Sequence, residues 1–208
     1  NLVVLGLSSL AGALLFLNEE ITQLQLYGLL FLILVGMLAT VVATGHKIKL
    51  VEIGSIIFVT AYIFIGFYCL FMIRNLSLSH VAYLLLTIWF TDSFAYFGGM
   101  KFGKNKLSPK ISPNKSIEGS VIGSLSSIAI ALLFFFTTDV FSSLAVAIAI
   151  TLVVSVVGQF GDLIESAYKR EYQVKDSSNL LPGHGGIFDR FDSVILSAPC
   201  LIILLSLF

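Results

Sequence analysis

The sequence predicts an all-α fold, a polytopic membrane bundle of about seven transmembrane helices. Of the 208 residues, 57% are hydrophobic and 12% are charged, against roughly 25% charged residues in an ordinary soluble domain. Uncharged stretches recur at roughly the 20 residues that a helix needs to cross a bilayer. These stretches lack the alternation of polar and apolar residues that a transmembrane β-barrel would show.

Seven apolar segments follow one another along the chain. Each is predicted to be helical because backbone groups in lipid must form hydrogen bonds within their own segment. We expect residues 1–74 to form a scaffold and residues 75–208 to form the catalytic region, with cytoplasmic loops over 100–118 and 166–190. Since the chain begins with Asn1 rather than Met, we expect its native N-terminus to lie upstream. The segments cover residues 1–18, 21–45, 53–73, 75–100, 119–138, 140–161 and 193–208.

Basic residues are concentrated in alternate connections between these segments. Eleven of the 12 Lys and Arg residues follow the second, fourth and sixth segments, and Arg74 alone lies in the opposite set. The positive-inside rule therefore places the basic connections in the cytoplasm of a bacterial-type inner membrane. With seven crossings, the N-terminus would be cytoplasmic. We expect no nucleic-acid partner, although the formal net charge of zero says nothing general about attraction to one.

One carboxylate is predicted to lie within the membrane. Asp92 is about eight residues from the cytoplasmic end of its segment, which corresponds to a depth of roughly 12 Å. An acidic residue at such a position usually faces a cavity or a partner. A role in function and a structural hydrogen bond to Ser93, Tyr96 or a neighbouring helix both remain open for Asp92.

Four carboxylates flank the last cytoplasmic connection. Asp162 and Glu165 end the sixth segment three residues apart, and Asp189 and Asp192 repeat this spacing before the last segment. Magnesium prefers carboxylate oxygens and commonly takes one or two of them together with substrate phosphates. We therefore predict these four side chains as candidate metal ligands. For Asp192, stabilisation of a helix dipole is the alternative.

The two large connections also carry phosphate-binding chemistry. Gly183, Gly185 and Gly186 would allow backbone amides to approach a phosphate. His184, among them, could act as an acid, a phosphate donor or a turn residue. The earlier connection presents five lysines that suit phosphate or anionic lipid, although topology alone would also place lysines there. These are Lys101, Lys104, Lys106, Lys110 and Lys115.

Two stretches of the sequence resemble one family of enzymes. The last cytoplasmic connection, from Ser166 to Asp192, is similar to the signature of phosphatidate cytidylyltransferases, also called CDP-diacylglycerol synthases. The stretch from Asp92 to Gly119 is similar to the other cytoplasmic block of that family. The pieces that carry the resemblance are Asp92, Ala95–Gly99, Phe102–Lys104, Ser112–Gly119, Ser166–Arg170, Lys175–Asp176, Leu181–Gly186 and Asp189–Asp192.

The resemblance implies a reaction and roles for individual residues. Phosphatidate and CTP would give CDP-diacylglycerol and pyrophosphate, with Mg²⁺ and room for a second, monovalent cation such as K⁺. A homodimer and contacts with membrane lipids are also implied. The implied catalytic residues are Asp162, Asp189, Lys169, Arg170, His184 and Asp192. The implied substrate-binding residues are Lys115, Ser116, Glu118, Lys175, Asp176, Gly183, Gly185, Gly186, Arg190 and Asp92.

Two other functions are weighed against this interpretation. A CTP-dependent kinase of a polyprenol or phytol would share the membrane, the nucleotide and the acidic ligands, but the complete signature from Ser166 to Asp192 argues against it. A transporter would place Asp92 and Asp162 along a path through the bilayer. The unusual polar residues cluster instead at one face of the membrane, which argues against transport.

Overall fold

A computed structural model describes residues 2–14, 23–45, 47, 49–178 and 186–208. These residues form eight helices and one two-stranded antiparallel sheet. In chain order, the elements are α1 (Leu2–Leu14), α2 (Gln23–Ala43), α3 (Leu50–Leu76), α4 (Leu78–Phe102), β1 (Lys106–Ser108), β2 (Ser112–Ser116), α5 (Ile117–Ser126), α6 (Ile128–Thr137), α7 (Leu144–Glu171) and α8 (Phe188–Leu207).

The predicted all-α membrane fold is confirmed. Within the described part of the chain, six segments are long and apolar enough to cross a membrane: α2, α3, α4, α5 together with α6, α7 and α8. The first predicted segment differs, because α1 has 13 residues, fewer than the roughly 20 that a span requires. Residues 15–22, which follow α1, lie outside the described residues.

The predicted cytoplasmic loops contain more regular structure than expected. Helix α7 continues ten residues beyond the predicted end of its segment and finishes at Glu171, supported by a Glu165–Lys169 ion pair at the i, i+4 spacing. Helix α8 begins at Phe188, so the carboxylates that flank the connection all lie on helices. The connection after α4 contains the β1–β2 hairpin, in which Lys106 pairs with Ser116 and Ser108 pairs with Ser112.

The chain divides into two compact units, Asn1–Tyr68 and Cys69–Phe208. The first unit contains α1, α2 and most of α3, and Thr60 donates a hydrogen bond to Ser8 within it at 3.2 Å. None of the predicted site residues falls in this unit. The buried residues of its core cluster are Val4, Ile33, Met37, Val41 and Ile53.

The core of the second unit is built around Tyr83 of α4, which is fully buried. Its ring meets Phe134 of α6 and Phe141 edge to face, at centroid distances of 5.5 and 4.9 Å. Its hydroxyl shares a 2.7 Å hydrogen bond with Thr151 of α7. Burying the phenol without a partner would be costly, so this bond fixes α4 against α7.

Helices α4 and α5 approach each other closely because small residues face each other at their contact. A Cβ atom added at Gly119 would lie 2.5 Å from the carbonyl oxygen of Ala95 and 2.9 Å from the Cα atom of Gly99. One at Gly123 would lie 2.6 Å from the carbonyl oxygen of Thr91. Residues of this size at the i, i+4 spacing allow tight helix packing in membranes. The contact brings the start of α5 beside the C-terminal half of α4.

The fifth predicted segment is one membrane span made of two helices. Helices α5 and α6 meet at Ser127, whose hydroxyl donates to the carbonyl oxygen of Ser124 at 2.7 Å. Ser126 donates in the same way to the carbonyl oxygen of Gly123 at 2.7 Å. Serine hydroxyls that bond back to the helix backbone often bend it, which accounts for the break.

Candidate active site

A polar cavity of about 640 Å³ opens between α4, the hairpin, α5 and α7. Its walls come from membrane-spanning helices on one side and from the hairpin on the other, so charged groups and lipid-facing helices meet in one place. The lining residues are Asp92, Ala95, Tyr96, Gly99, Met100, Lys106, Leu107, Asn114, Lys115, Ser116, Ser120, Gln159 and Asp162.

The central ion pair of this cavity joins two residues that are far apart in the sequence. The Nζ atom of Lys115 lies 2.5 Å from Oδ2 of Asp162. The Lys115 and Asp162 side chains are 27% and 31% exposed, although the Nζ atom of Lys115 itself is buried. Ser166, one turn further along α7, donates a 3.2 Å hydrogen bond to the other oxygen of Asp162.

Two further carboxylates surround Lys115. Asp92 and Asp192 are both half-buried, and both lie close enough to Lys115 and Asp162 to interact with them electrostatically. A Cβ atom at Gly161 would lie 2.6 Å from the backbone oxygen of Asp192. The missing side chain at Gly161 therefore lets α8 approach α7 next to Asp162. The predicted role of Asp92 at a cavity agrees with this position.

A second cluster of charges lies between α7 and α8. The Nζ atom of Lys169 is 2.6 Å from Oε2 of Glu165 and 3.0 Å from Oδ1 of Asp189. The side chain of Glu165 is 1% exposed, and no donor among the described residues reaches its buried Oε1 atom. The carboxylates of Glu165 and Asp189 lie within hydrogen-bond reach of each other, so a proton or a cation shared between them would satisfy this oxygen.

Asp189 also holds the two ends of the connection between α7 and α8 together. Its Oδ2 atom accepts hydrogen bonds from the backbone amide and the hydroxyl of Ser177, at 2.9 and 2.7 Å. The same atom accepts a 2.7 Å bond from the backbone amide of Gly186. Asp189 therefore closes the neck of this loop. Gly183, His184 and Gly185 lie outside the described residues.

The predicted carboxylate ligands are not gathered around one point. Asp162 pairs with Lys115, whereas Glu165 and Asp189 pair with Lys169. Across residues 2–14, 23–45, 47, 49–178 and 186–208, no group of three or more His, Cys, Asp or Glu side chains is arranged to hold a metal ion. Lys115 and Lys169 therefore bind the carboxylates that were predicted to bind a metal ion.

Two predicted substrate-binding residues have local structural contacts. Ser116 is buried, and its hydroxyl caps α5 by accepting a 3.1 Å hydrogen bond from the amide of Gly119. The carboxylate of Glu118 accepts bonds from the backbone amides of Lys104 and Asn105 at 3.1 to 3.2 Å. Glu118 also accepts a 2.7 Å bond from the side-chain amide of Asn105. These contacts fix the start of the hairpin and place Lys115 over the cavity.

The remaining predicted residues lie on the surface of the connection. Arg170, Lys175, Asp176 and Arg190 are exposed. Arg170 reaches the hairpin, where its Nε atom donates a 3.2 Å hydrogen bond to the carbonyl oxygen of Ile111.

Sequence reasoning missed a buried polar ladder beneath the cavity. The hydroxyl of Ser155 donates to that of Ser124 at 2.8 Å, and the side-chain amide of Gln159 donates to Ser124 at 2.9 Å. The same amide reaches the carbonyl oxygen of Ser120 at 3.4 Å. The available signal was the i, i+4 spacing of polar residues on both helices, since such residues bond across membrane helices.

Comparison with known proteins gives an independent finding. Residues 2–208 match the sequence profile described as the cytidylyltransferase family. The chain is 47% identical over 160 residues to a phosphatidate cytidylyltransferase of Bacillus subtilis, and the aligned part covers 76% of this chain and 60% of that relative. The chain therefore spans less than two thirds of the length of this relative.

Two staphylococcal proteins are similar over more of their length. The phosphatidate cytidylyltransferase of Staphylococcus haemolyticus is 36% identical over 204 residues, covering 98% of this chain and 76% of the relative. That of Staphylococcus saprophyticus is 37% identical over 205 residues, covering 96% of this chain and 78% of the relative.

Proposed function

Because this chain belongs to the cytidylyltransferase family, we propose that it transfers CMP from CTP to phosphatidate, giving CDP-diacylglycerol and pyrophosphate in phospholipid biosynthesis. The observation that carries this proposal is the Lys115–Asp162 pair in a cavity walled by membrane helices. In such a site, a charged nucleotide from the water can meet the head group of a lipid whose acyl chains stay in the membrane.

The reaction requires little covalent chemistry from the protein. An ionised phosphate oxygen of phosphatidate attacks the α-phosphorus of CTP and forms the new P–O bond. The bond from the α-phosphorus to the bridging oxygen breaks, and its electron pair leaves with pyrophosphate. Catalysis then consists of bringing two anions together and stabilising the charge that develops.

The cationic side chains fit this task by their positions. Lys115 and Lys106 line the cavity and would bind the reacting phosphates. Lys169, Arg170 and Lys175 follow on the α7 side, where the pyrophosphate part of CTP would be held. An ammonium group inside a partly enclosed site interacts with phosphate more strongly than it does in water.

Magnesium fits the donor set of this site. Asp162, once released from Lys115, would hold it together with Asp192, which is close enough to Asp162 to interact with it electrostatically. The buried Oε1 atom of Glu165 offers one further carboxylate oxygen, and carboxylates are the ligands that magnesium prefers. Bound magnesium would neutralise charge on the triphosphate. The monovalent cation stays a prediction.

We place the catalytic cavity on the cytoplasmic side of the bacterial inner membrane. Residues 100–118 and 166–190, the two predicted cytoplasmic loops, carry nine of the 12 Lys and Arg residues, and the positive-inside rule favours the cytoplasm for both. CTP would then enter from the water and phosphatidate from the bilayer. The homodimer implied by the family resemblance stays a prediction.

The test is a transfer experiment with the protein in detergent. Phosphatidate is supplied with CTP labelled at the α- or the γ-phosphate, with magnesium or with EDTA. The proposal predicts magnesium-dependent α-label in the lipid and release of pyrophosphate. Transfer of γ-label to a lipid alcohol would instead indicate a kinase, and transfer of neither label by folded full-length protein would overturn the proposal.

A further inference from the structure

A second cavity, of about 490 Å³, lies between the hairpin and one side of α7. We refer to it as the hairpin slot. Most of its lining side chains are apolar, in contrast to the charged lining of the first cavity. The lining residues are Leu107, Ser108, Ile111, Ser120, Val156, Gln159, Phe160, Leu163, Ile164 and Ala167.

The hairpin slot adjoins the candidate active site, and the residues that they share mark a path from one to the other. Leu107, Ser120 and Gln159 line both cavities. The chemistry changes in order along this path, from the charged pair of Lys115 and Asp162, through the neutral polar Ser120 and Gln159, to apolar side chains. A phospholipid has the same order of groups, with its phosphate first, its ester carbonyls next and its acyl chains last.

One end of the slot faces the lipid. Val156 and Phe160 are 43% and 57% exposed on a membrane-spanning helix. At the opposite end, Arg170 donates its 3.2 Å hydrogen bond to the carbonyl oxygen of Ile111 and ties the tip of the hairpin to α7. From Val156 to Ala167, the slot follows roughly 16 Å of helix.

We infer that the hairpin slot binds an acyl chain of phosphatidate while the phosphate of the same molecule lies beside Lys115. This inference rests on the proposed function. Burial of the methylene groups of this acyl chain in the slot contributes to binding of the lipid. These groups do not contact the nucleotide.

Two valines on α7 provide a matched test. Val156 lines the slot, whereas Val153, one turn earlier, does not; they are 43% and 42% exposed. The readout is the ratio of KM for dioleoyl phosphatidate to KM for dihexanoyl phosphatidate. In Val156→Trp this ratio rises about tenfold, as expected if about two buried methylene groups are displaced. In Val153→Trp it keeps the wild-type value, and equal ratios in the two variants would overturn the inference.

A second measurement uses the unaltered full-length protein and needs no turnover. Phosphatidate with a diazirine at the end of one acyl chain is photolysed with the protein in bilayers, and labelled peptides are identified. Label is expected in residues 107–111 or 156–167, displaced by unlabelled phosphatidate but not by phosphatidylcholine. Equal labelling by a phosphatidylcholine probe would show ordinary bilayer contact and overturn the inference. Slot labelling without any CDP-diacylglycerol formation would reject the proposed function alone.

Discussion

The ammonium group of Lys115 and the carboxylate of Asp162 lie 2.5 Å apart, although 47 positions of sequence separate them. Lys115 is carried by β2 and Asp162 by α7. The pair depends on the close contact of α4 with α5, because this contact positions the end of β2 over the cavity. Its surroundings, with Asp92 and Asp192 nearby, make it the centre of the candidate site.

Replacement of Asp162 tests that centre directly. Asp162→Asn keeps the size of the side chain but removes the charge that faces Lys115. We expect kcat/KM for CTP to fall at least about 100-fold, the loss typical when one group that stabilises transition-state charge is removed. The measurement is α-label transfer to phosphatidate. The control is Asp139→Asn, an exposed position between α6 and α7, and equal activity in both variants would contradict the assignment.

Removal of Lys169 should destabilise the second unit. Lys169→Met removes the cation that binds Asp189 and the buried Glu165, which is 1% exposed. We expect the loss of these charge-assisted hydrogen bonds to lower the free energy of unfolding by about 2 kcal/mol. Adding Glu165→Gln to this variant should recover part of the loss, because the uncompensated charge disappears. Thermal unfolding in detergent measures both effects. Lys110→Met, at an exposed position, serves as the control, and a loss as large in that variant would refute this explanation.

The glycine contact between α4 and α5 is predicted to be required for packing. A Cβ atom in Gly119→Ala would lie 2.5 Å from the carbonyl oxygen of Ala95, so the helices must separate. We expect a loss of about 1 to 3 kcal/mol in stability together with reduced transferase activity. Gly54→Ala is the matched control, because nothing lies within 4 Å of its added carbon. Unchanged melting temperatures in both variants would argue against this packing role.

The loop neck formed by Asp189 can be tested by proteolysis. Asp189→Asn weakens the bonds from Ser177 and Gly186, and we expect trypsin to cut after Lys175 about tenfold faster, as for a loss of roughly 1.4 kcal/mol. Ser177→Ala should show a smaller increase, because the backbone amide of Ser177 still donates to Asp189. Cleavage at the wild-type rate in Asp189→Asn would show that these hydrogen bonds do not restrain the loop.

Much of the architecture was predictable because membrane insertion imposes simple local rules. The apolar segments that became α2, α3, α4 and α7 were found from length and lack of charge, and their helical state follows from the need to satisfy backbone groups in lipid. The ends of the helices were less predictable. Helix α7 continues to Glu171 because a polar stretch with an i, i+4 ion pair can extend a helix beyond the hydrocarbon, and hydropathy does not register this.

The candidate site was also predictable only in part: its residues were identified from the sequence, but most of their contacts were not. Asp92, Lys115 and Asp162 were all identified from the sequence as candidates, and they line one cavity. Their partners were not identified. Ser116 and Glu118 carry polar groups that suit phosphate or a cation, yet Ser116 caps α5 and Glu118 binds the amides of the hairpin, because the nearest available donors in the folded chain are those of the backbone.

The sequence by itself determined the membrane residence, the helical class, the family and the candidate chemistry, since these depend on composition and on local motifs. Only the tertiary structure decided which charges face each other: Asp162 towards Lys115, and Asp189 towards Lys169 and the loop neck. The physical reason is that ion pairs form over a few ångströms. The distances that matter are set by how closely and in which rotation helices such as α4 and α5 pack, and small residues such as Gly119 allow that approach.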